Sequence, residues 1–127
     1  MIGTRSSGNL ALARQVFGWF EDGDMDAFLA VLHPDVKAHP SVDGGPVLEG
    51  REAVSRWMAG FMAHAEMEAR PLDYEVQGEC VIVRGYLRHR DGRTLAESQV
   101  FWVYEFRDGQ VVRMESHQSR SAALAAC

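Results

Sequence analysis

The stretch that decides the fold is "WFEDGDMDAFLAVLHPDVKAHP", residues 19–40. It contains the end of one amphipathic helix, a Gly-Asp break, a second helix and a short strand. The first helix is predicted over residues 9–21, with Asn9 as its N-cap and apolar side chains on one face. Gly23 suits the C-terminal cap and Asp24 can cap a second helix over residues 25–33, which Pro34 ends. "DVKAH" then reads as a strand, and "PSVDGGPVLEG" as a loop.

The rest of the chain separates one more helix from a run of strands. Residues 51–66 return to helical periodicity, and after Pro71 four strand-like runs follow. Asp91-Gly92 and Asp108-Gly109 separate strands and are strong hairpin signals. Helices followed by an antiparallel meander indicate an α+β fold in which the helices cover one face of a curved sheet. No repeat or linker interrupts the pattern, so we expect a single domain over residues 1–127.

Composition excludes several classes of protein. The chain has 127 residues, of which 46% are hydrophobic and 24% charged, as in ordinary globular proteins. Its net charge of −5 and scattered basic residues argue against nucleic-acid binding. No segment has the roughly 20 apolar residues of a membrane span, and the N-terminus lacks the apolar core of a signal peptide. We therefore expect a cytoplasmic protein with no membrane contact, in which Cys80 and Cys127 are free thiols.

Three stretches together resemble the ketosteroid isomerase and SnoaL-like polyketide cyclase group of the nuclear transport factor 2-like superfamily. They are the opening stretch, "GGPVLEGREAVSRWMAGF" and "VFWVYEFRDGQVVRMESHQS". The resemblance covers about residues 9–119. It implies a cone-shaped α+β fold, in which three N-terminal helices and a curved, mostly antiparallel sheet enclose an apolar pocket. It also implies a homodimer, commonly through the outer face of the sheet. Function within this superfamily varies and has to be argued from the site.

The ketosteroid isomerases use a carboxylate base, a tyrosine and a protonated aspartic acid. The base position falls here at His39 or Pro40, the tyrosine position at about Val16, and the aspartic acid position at about Trp102. Because that triad is missing, we do not expect steroid isomerisation by the known arrangement.

His39 and Asp43 are the catalytic candidates. An imidazole titrates near neutral pH and suits proton transfer, and Asp43 is the nearest carboxylate that could orient it. The alternatives are a half-exposed histidine bonded to a loop carbonyl and a turn aspartate before Gly44-Gly45.

Alternation in the last two strands predicts which side chains face the pocket. In "AESQVFWVYEF" the even-numbered positions are almost wholly apolar and are predicted to face the pocket. In "VVRMESHQ" the same parity places His117, at an odd-numbered position, on the face away from the pocket. Large aromatic side chains from the helices would complete the lining, although core packing alone also explains them. The predicted ligand-binding residues are Val16, Trp19, Phe20, Trp57, Phe61, Val100, Trp102, Tyr104, Met114, Ser116 and Gln118.

Two functions remain open. The first is a cofactor-free isomerase, cyclase or lyase that moves a proton on a small hydrophobic carbonyl compound. The second is a non-catalytic ligand-binding or dimerisation domain. The five histidines have no ligand-like spacing and no glycine-rich phosphate loop is present, so we expect neither a metal nor a nucleotide cofactor. An exposed Phe101–Val103 row on the outer sheet face would favour the dimer.

Overall fold

The computed structural model describes the backbone of residues 2–40, 42, 45–63 and 67–127. Side chains are described within those ranges except at residues 2–7, 61–63, 67 and 91. The α+β class is confirmed, and the predicted helices precede the long strands. The elements are α1 Ile2–Asp22, α2 Met25–Ala30, β1 Leu32–His39, β2 Leu48–Glu49, α3 Arg51–Ala63, β3 Met67–Gln77, β4 Cys80–Asp91, β5 Thr94–Arg107, β6 Gln110–His117 and α4 Arg120–Ala126.

In the described residues, six strands form one mixed sheet in the order β2-β1-β6-β5-β4-β3. The four long strands make the expected antiparallel meander, whereas β1 runs parallel to β6. The β5–β6 hairpin closes with Arg107 opposite Gln110, and Asp108 and Gly109 between them have φ angles of 53° and 76°. Two positive φ angles in a two-residue loop match the right-handed twist of a hairpin, so the Asp-Gly signal is confirmed.

Prolines mark element boundaries less sharply than the sequence predicted. The second helix ends at Ala30, and β1 begins at Leu32, before Pro34. The β1–β6 register shifts between Leu32 and Lys37, so Pro34 lies where its missing N–H removes no ladder hydrogen bond. In the same way β3, which is an edge strand, contains Pro71 beside a second shift in register.

Both ends of the chain are more helical than expected. Helix α1 begins at Ile2, so Asn9 is an interior helix residue and not an N-cap. Helix α4 was not predicted, although Ser119 caps it: the Ser119 hydroxyl accepts a hydrogen bond of 3.1 Å from the Ala122 N–H.

The main core lies between the helices and one face of the sheet, which we call the inner face. Phe17, Phe28, Val54 and Met58 come from the helices and pack together with apolar side chains of the strands. Fully burying each large apolar side chain contributes about 1.5–3 kcal/mol. The strand residues buried in this core are Leu32, Val36, Ala38, Val81, Val83, Tyr104, Phe106 and Val111.

The outer face carries a second, smaller apolar cluster. Cys80, Ile82, Phe101 and Val103 are buried there against Ala123 of α4, and Phe101 is only 8% exposed. Phe101 and Val103 therefore form no exposed row that a dimer would have to cover. The unpredicted helix covers them.

Gly85 lies where three backbone and side-chain groups converge on β4. A Cβ atom at this position would lie 2.3 Å from the Arg70 carbonyl oxygen and 2.7 Å from the Trp102 ring. The Pro71 Cα would be 3.0 Å away. Backbone atoms cannot move aside as a flexible side chain can, so only glycine fits here.

We expect Gly85→Ala to destabilise the protein by about 1–3 kcal/mol, because it forces β3 and the Trp102 indole away from β4. Gly18→Ala is the matched control: nothing lies within 4 Å of its added Cβ, in the interior of α1. That substitution should increase stability by about 0.5–1 kcal/mol. Urea denaturation followed by circular dichroism measures both, and equal effects of the two substitutions would contradict the packing of Gly85.

Candidate functional site

Four aromatic side chains meet on the inner face and form what we call the aromatic cluster: Phe17, Tyr74, Trp102 and Tyr104. The Phe17 ring from α1 lies at the centre, with its centroid 5.2 Å from Trp102, 5.8 Å from Tyr104 and 6.3 Å from Tyr74. Its plane is steeply inclined to both tyrosine rings, at 80° to Tyr104 and 83° to Tyr74. Such edge-to-face contacts are favourable for aromatic pairs and fix the orientation of the rings.

The strand register brings four of the predicted ligand-binding residues to one face. Trp102 is paired with Ser116, and Tyr104 with Met114. Paired residues of neighbouring strands project to the same side, and alternate residues of one strand do so too. Trp102, Tyr104, Met114 and Ser116 therefore form one continuous patch on the inner face, as the alternation predicted.

Two residues in this patch carry a hydroxyl and are buried as whole residues. Tyr104 is 5% exposed and Ser116 is 8% exposed. Neither hydroxyl is hydrogen-bonded to another residue in the described part of the chain. A hydroxyl that bonds to no other protein group is available to water or to a ligand.

Burial also sets the charge state of Tyr104. Its removal from water raises its pKa well above the usual value of about 10, and the neighbouring Tyr74 raises the pKa further. The phenol stays neutral throughout the physiological range. It is therefore available as an O–H donor to an oxygen of a bound molecule.

Asn9 adds a third unpaired polar group. It is 7% exposed, and its Nδ2 atom has no hydrogen-bond partner among the described residues. Asn9 lies four and eight residues before Ala13 and Phe17, so the three share the helix face that packs on the sheet. The sequence analysis assigned Asn9 to a cap. Its polar character on an otherwise apolar helix face is the signal that could have identified it.

The other predicted lining residues have different positions. Val16 and Val100 are buried, while Trp19 and Phe20 are partly buried and pack against the main core. Trp57 is 36% exposed and Gln118 is exposed. The Phe61 side chain lies outside the described residues.

Tyr74 and Phe17 were missing from the predicted site. Tyr74 could have been found from its strand, since Leu72, Tyr74 and Val76 alternate with polar residues in "LDYEVQG". Phe17 lies beside the apolar stripe that defined α1.

The catalytic candidate His39 lies on the other side of the sheet. In the parallel β1–β6 pair, Ala38 is next to Met114 and His39 is next to Glu115. Ala38 is therefore on the inner face with the aromatic cluster, and His39 is on the outer face. The His39 Nε2 atom is 3.1 Å from the Gly45 carbonyl oxygen. Asp43 lies outside the described residues.

The prediction for His117 is confirmed by the register. His117 is opposite Phe101 on the outer face, and its Nε2 lies 2.9 Å from a carboxylate oxygen of Glu115. Burial alone would raise the pKa of Glu115, but its hydrogen bonds with Arg113 and His117 hold that pKa below the usual value.

The described residues contain no group of three or more His, Cys, Asp or Glu side chains that could hold a metal ion. None of their helices is both long and apolar enough to cross a membrane.

Residues 13–114 match the SnoaL-like domain family. The chain belongs to this family. The match includes the aromatic cluster, Met114 and His39, and it ends before Ser116. No curated protein matches the sequence.

Solved structures share the fold of this SnoaL-like protein. A nuclear transport factor 2-like protein of unknown function from Burkholderia pseudomallei is 24% identical, with a TM-score of 0.77 over 93% of this chain and 95% of that one. TerC, co-crystallised with polyporic acid, is 23% identical, with a TM-score of 0.76 over 93% and 96% of the two chains. A protein from a Jannaschia species that carries the name SnoaL-like polyketide cyclase is 19% identical, with a TM-score of 0.75 over 95% and 92%. The nuclear transport factor 2-like fold implied by the resemblance is confirmed.

We expect Asn9→Leu to stabilise the protein without ligand by about 1–2 kcal/mol, because it replaces an unsatisfied buried donor with an apolar group of similar size. Ala13→Leu, on the same face, is the control and should destabilise by overfilling the core. Thermal and urea denaturation measure both. A destabilised Asn9→Leu protein would show that the amide has a bound partner even without ligand.

Proposed function

We propose that this protein binds a small, flat, largely apolar carbonyl compound on the inner face of its sheet. The observation that carries the proposal is Tyr104, a buried residue whose phenol is neutral and makes no hydrogen bond within the described part of the chain. A carbonyl oxygen accepts hydrogen bonds but cannot donate them, so it complements a lone O–H donor. The Ser116 hydroxyl, on the neighbouring strand, is a second donor for the same end of the ligand.

The aromatic cluster favours a planar ligand. The rings around Phe17 are held in fixed orientations. A planar ligand can therefore stack on a ring face or pack against a ring edge. Ligand sites in proteins typically combine mostly apolar walls with a few placed polar groups. The structure of TerC with polyporic acid supports the proposal, since it shows a related fold crystallised with a small organic compound.

A matched pair of probes tests this proposal. A naphthyl methyl ketone and isopropylnaphthalene have the same shape, but only the ketone accepts a hydrogen bond. Tyr104→Phe should weaken binding of the ketone by about tenfold, which corresponds to one hydrogen bond, and leave isopropylnaphthalene unaffected. Quenching of tryptophan fluorescence measures both affinities, because Trp102 is part of the cluster.

The control for this experiment is Tyr86→Phe, which removes the same hydroxyl from the outer face. Ser116→Ala should reproduce the selective loss for the ketone to a smaller extent. Equal weakening of both probes by Tyr104→Phe would show that the ring only packs. Unchanged binding of both would place the ligand elsewhere.

Catalysis at this site is the second candidate function. Two neighbours named as polyketide cyclases, one of them as SnoaL-like, support a cofactor-independent isomerase, cyclase or lyase. The geometry of His39 is also compatible with a base. When its Nε2–H donates to the Gly45 carbonyl, the Nδ1 atom is left with the lone pair that accepts a proton. Because His39 lies on the outer face, we propose that it acts on a carbonyl compound that reaches the edge of the sheet at the end of β1, outside the aromatic cluster, with Asp43 from the following loop as its partner.

Deuterium exchange tests His39 without knowledge of the substrate. If His39 is a base, the protein accelerates incorporation of deuterium from heavy water into the methyl group of the naphthyl ketone, measured by proton NMR. His39→Gln should lower that rate by about a hundredfold or more while the affinity for the ketone is retained. His33→Gln, in the same strand, is the control. Exchange that is no faster than in buffer would reject catalysis and leave the binding proposal intact.

The proposed assembly is a homodimer through the outer face of the sheet. Because α4 covers Phe101 and Val103, the part of that face available to a second copy is centred on Tyr86 and Gln99 of β4 and β5.

A further inference from the structure

The two cysteines of the chain meet on the outer face, where α4 packs on β4. Cys80 opens β4, and Cys127 is the C-cap of α4, with its N–H donating to the Leu124 carbonyl at 3.1 Å. They are 47 positions apart in sequence, so only the folding of α4 onto the sheet brings them together.

Arg113 shows how close these two points are. Its Nη2 atom donates to the carbonyl oxygen of Ala126, the residue before Cys127. The same nitrogen is 3.8 Å from the Cys80 sulfur. One guanidinium nitrogen therefore contacts both the end of α4 and the thiol of Cys80.

The two cysteines lie on either side of the Arg113 guanidinium, and they differ in exposure. Cys80 is 4% exposed, whereas Cys127 is exposed. Burial, and then the contact with Cys127, raise the pKa of Cys80 to about 12. A thiolate is the reactive form of cysteine, so an external reagent reacts first at Cys127.

We propose that Cys80 and Cys127 form a reversible disulfide that ties α4 to β4, with a low-molecular-weight disulfide as the oxidant. The apposed pair and the exposed member that starts the reaction are both present in the fold.

The reaction proceeds by two thiol–disulfide exchanges. The Cys127 thiolate attacks one sulfur of the small disulfide, which forms a mixed disulfide and releases one small thiol. Cys80 then loses its proton and attacks the Cys127 sulfur, which forms the protein disulfide and releases the second small thiol. The two protein thiols lose two electrons and two protons in total, and the small disulfide gains both. The Arg113 guanidinium favours the second step, because its positive charge stabilises the Cys80 thiolate.

The disulfide would hold α4 against the sheet. A helix of seven residues has no stability of its own and depends on its contacts with the sheet. A disulfide between residues 80 and 127 would keep α4 over Phe101 and Val103 even when those contacts open. It would also remove conformational entropy from the unfolded chain, which raises the melting temperature by about 5–10 °C.

The test uses the full chain equilibrated with oxidised or reduced glutathione, then blocked with N-ethylmaleimide and weighed by intact-mass spectrometry. With oxidised glutathione, we expect a monomer that has lost two hydrogens and takes up no maleimide. Its melting temperature should exceed that of the reduced form. Cys80→Ser is expected to stop at glutathione on Cys127, and Cys127→Ser to remain unmodified because Cys80 is buried. Neither variant should show the rise in melting temperature.

Three results would overturn the proposal. One is wild-type protein that accumulates glutathione on Cys127 while Cys80 remains free. Another is a disulfide between two chains on a non-reducing gel. The third is an intramolecular disulfide that leaves the melting temperature unchanged. Cys127→Ser changes an exposed residue and should fold normally. It therefore shows whether the loss of two hydrogens and the rise in melting temperature require both cysteines.

Discussion

The close approach of β3 and Trp102 to Gly85 is the constraint on which the inner face depends. The absence of a side chain at Gly85 lets the Arg70 carbonyl and the Trp102 ring come together across β4. The register shift between Pro71 and Asp73 lies at the same level of the sheet, and such irregularities bend a strand. The Trp102 ring is thus held at the height where Phe17 of α1 meets it. Through Phe17 the same contact orients Tyr74 and Tyr104.

Alternation along the strands divides the protein into two chemically different faces. The inner face has aromatic and aliphatic side chains with the hydroxyls of Tyr104 and Ser116. The outer face carries ion pairs such as Arg84–Asp73 and Arg88–Glu97. A shift of one residue along a strand moves a side chain from one face to the other. For this reason Ala38 faces the aromatic cluster, while His39, one residue further along the same strand, faces the opposite side of the sheet.

Side-chain periodicity made much of this fold predictable. Alternation in β5 and β6 placed Trp102, Tyr104, Met114 and Ser116 correctly, because one side of those strands is uniformly apolar. The same rule could not place His39. Its strand is short, and neighbouring Val36 and Ala38 carry too weak an apolar pattern to set the register against a family position known only to within one residue.

Other features depend on contacts that are distant in sequence. The segment of α4 is small and alanine-rich, and its helix packs on Ile82 and Val103 from other parts of the chain. From the sequence, Pro34 and Pro71 predict element boundaries, since proline usually ends helices and interrupts sheets. Both are tolerated here because each lies at an irregularity in strand pairing. Asn9 was read as a cap because short polar residues favour that position, and only the extension of α1 to Ile2 showed it to be buried.

The coverage of the outer apolar cluster by α4 changes how a second copy could bind this face. Arg113 lies beneath α4 with Glu105 and Glu115, all three about one-fifth exposed, and it also bonds to the Ala126 carbonyl. Removing α4 would therefore expose apolar surface and also leave part of a charge network without its cover. The rest of the outer face consists mainly of exposed ion pairs, each worth at most about 1 kcal/mol. A dimer that leaves α4 in place would have to form around Tyr86, where Leu72, which is 45% exposed, lies beside the ion pair of Arg88 and Glu97.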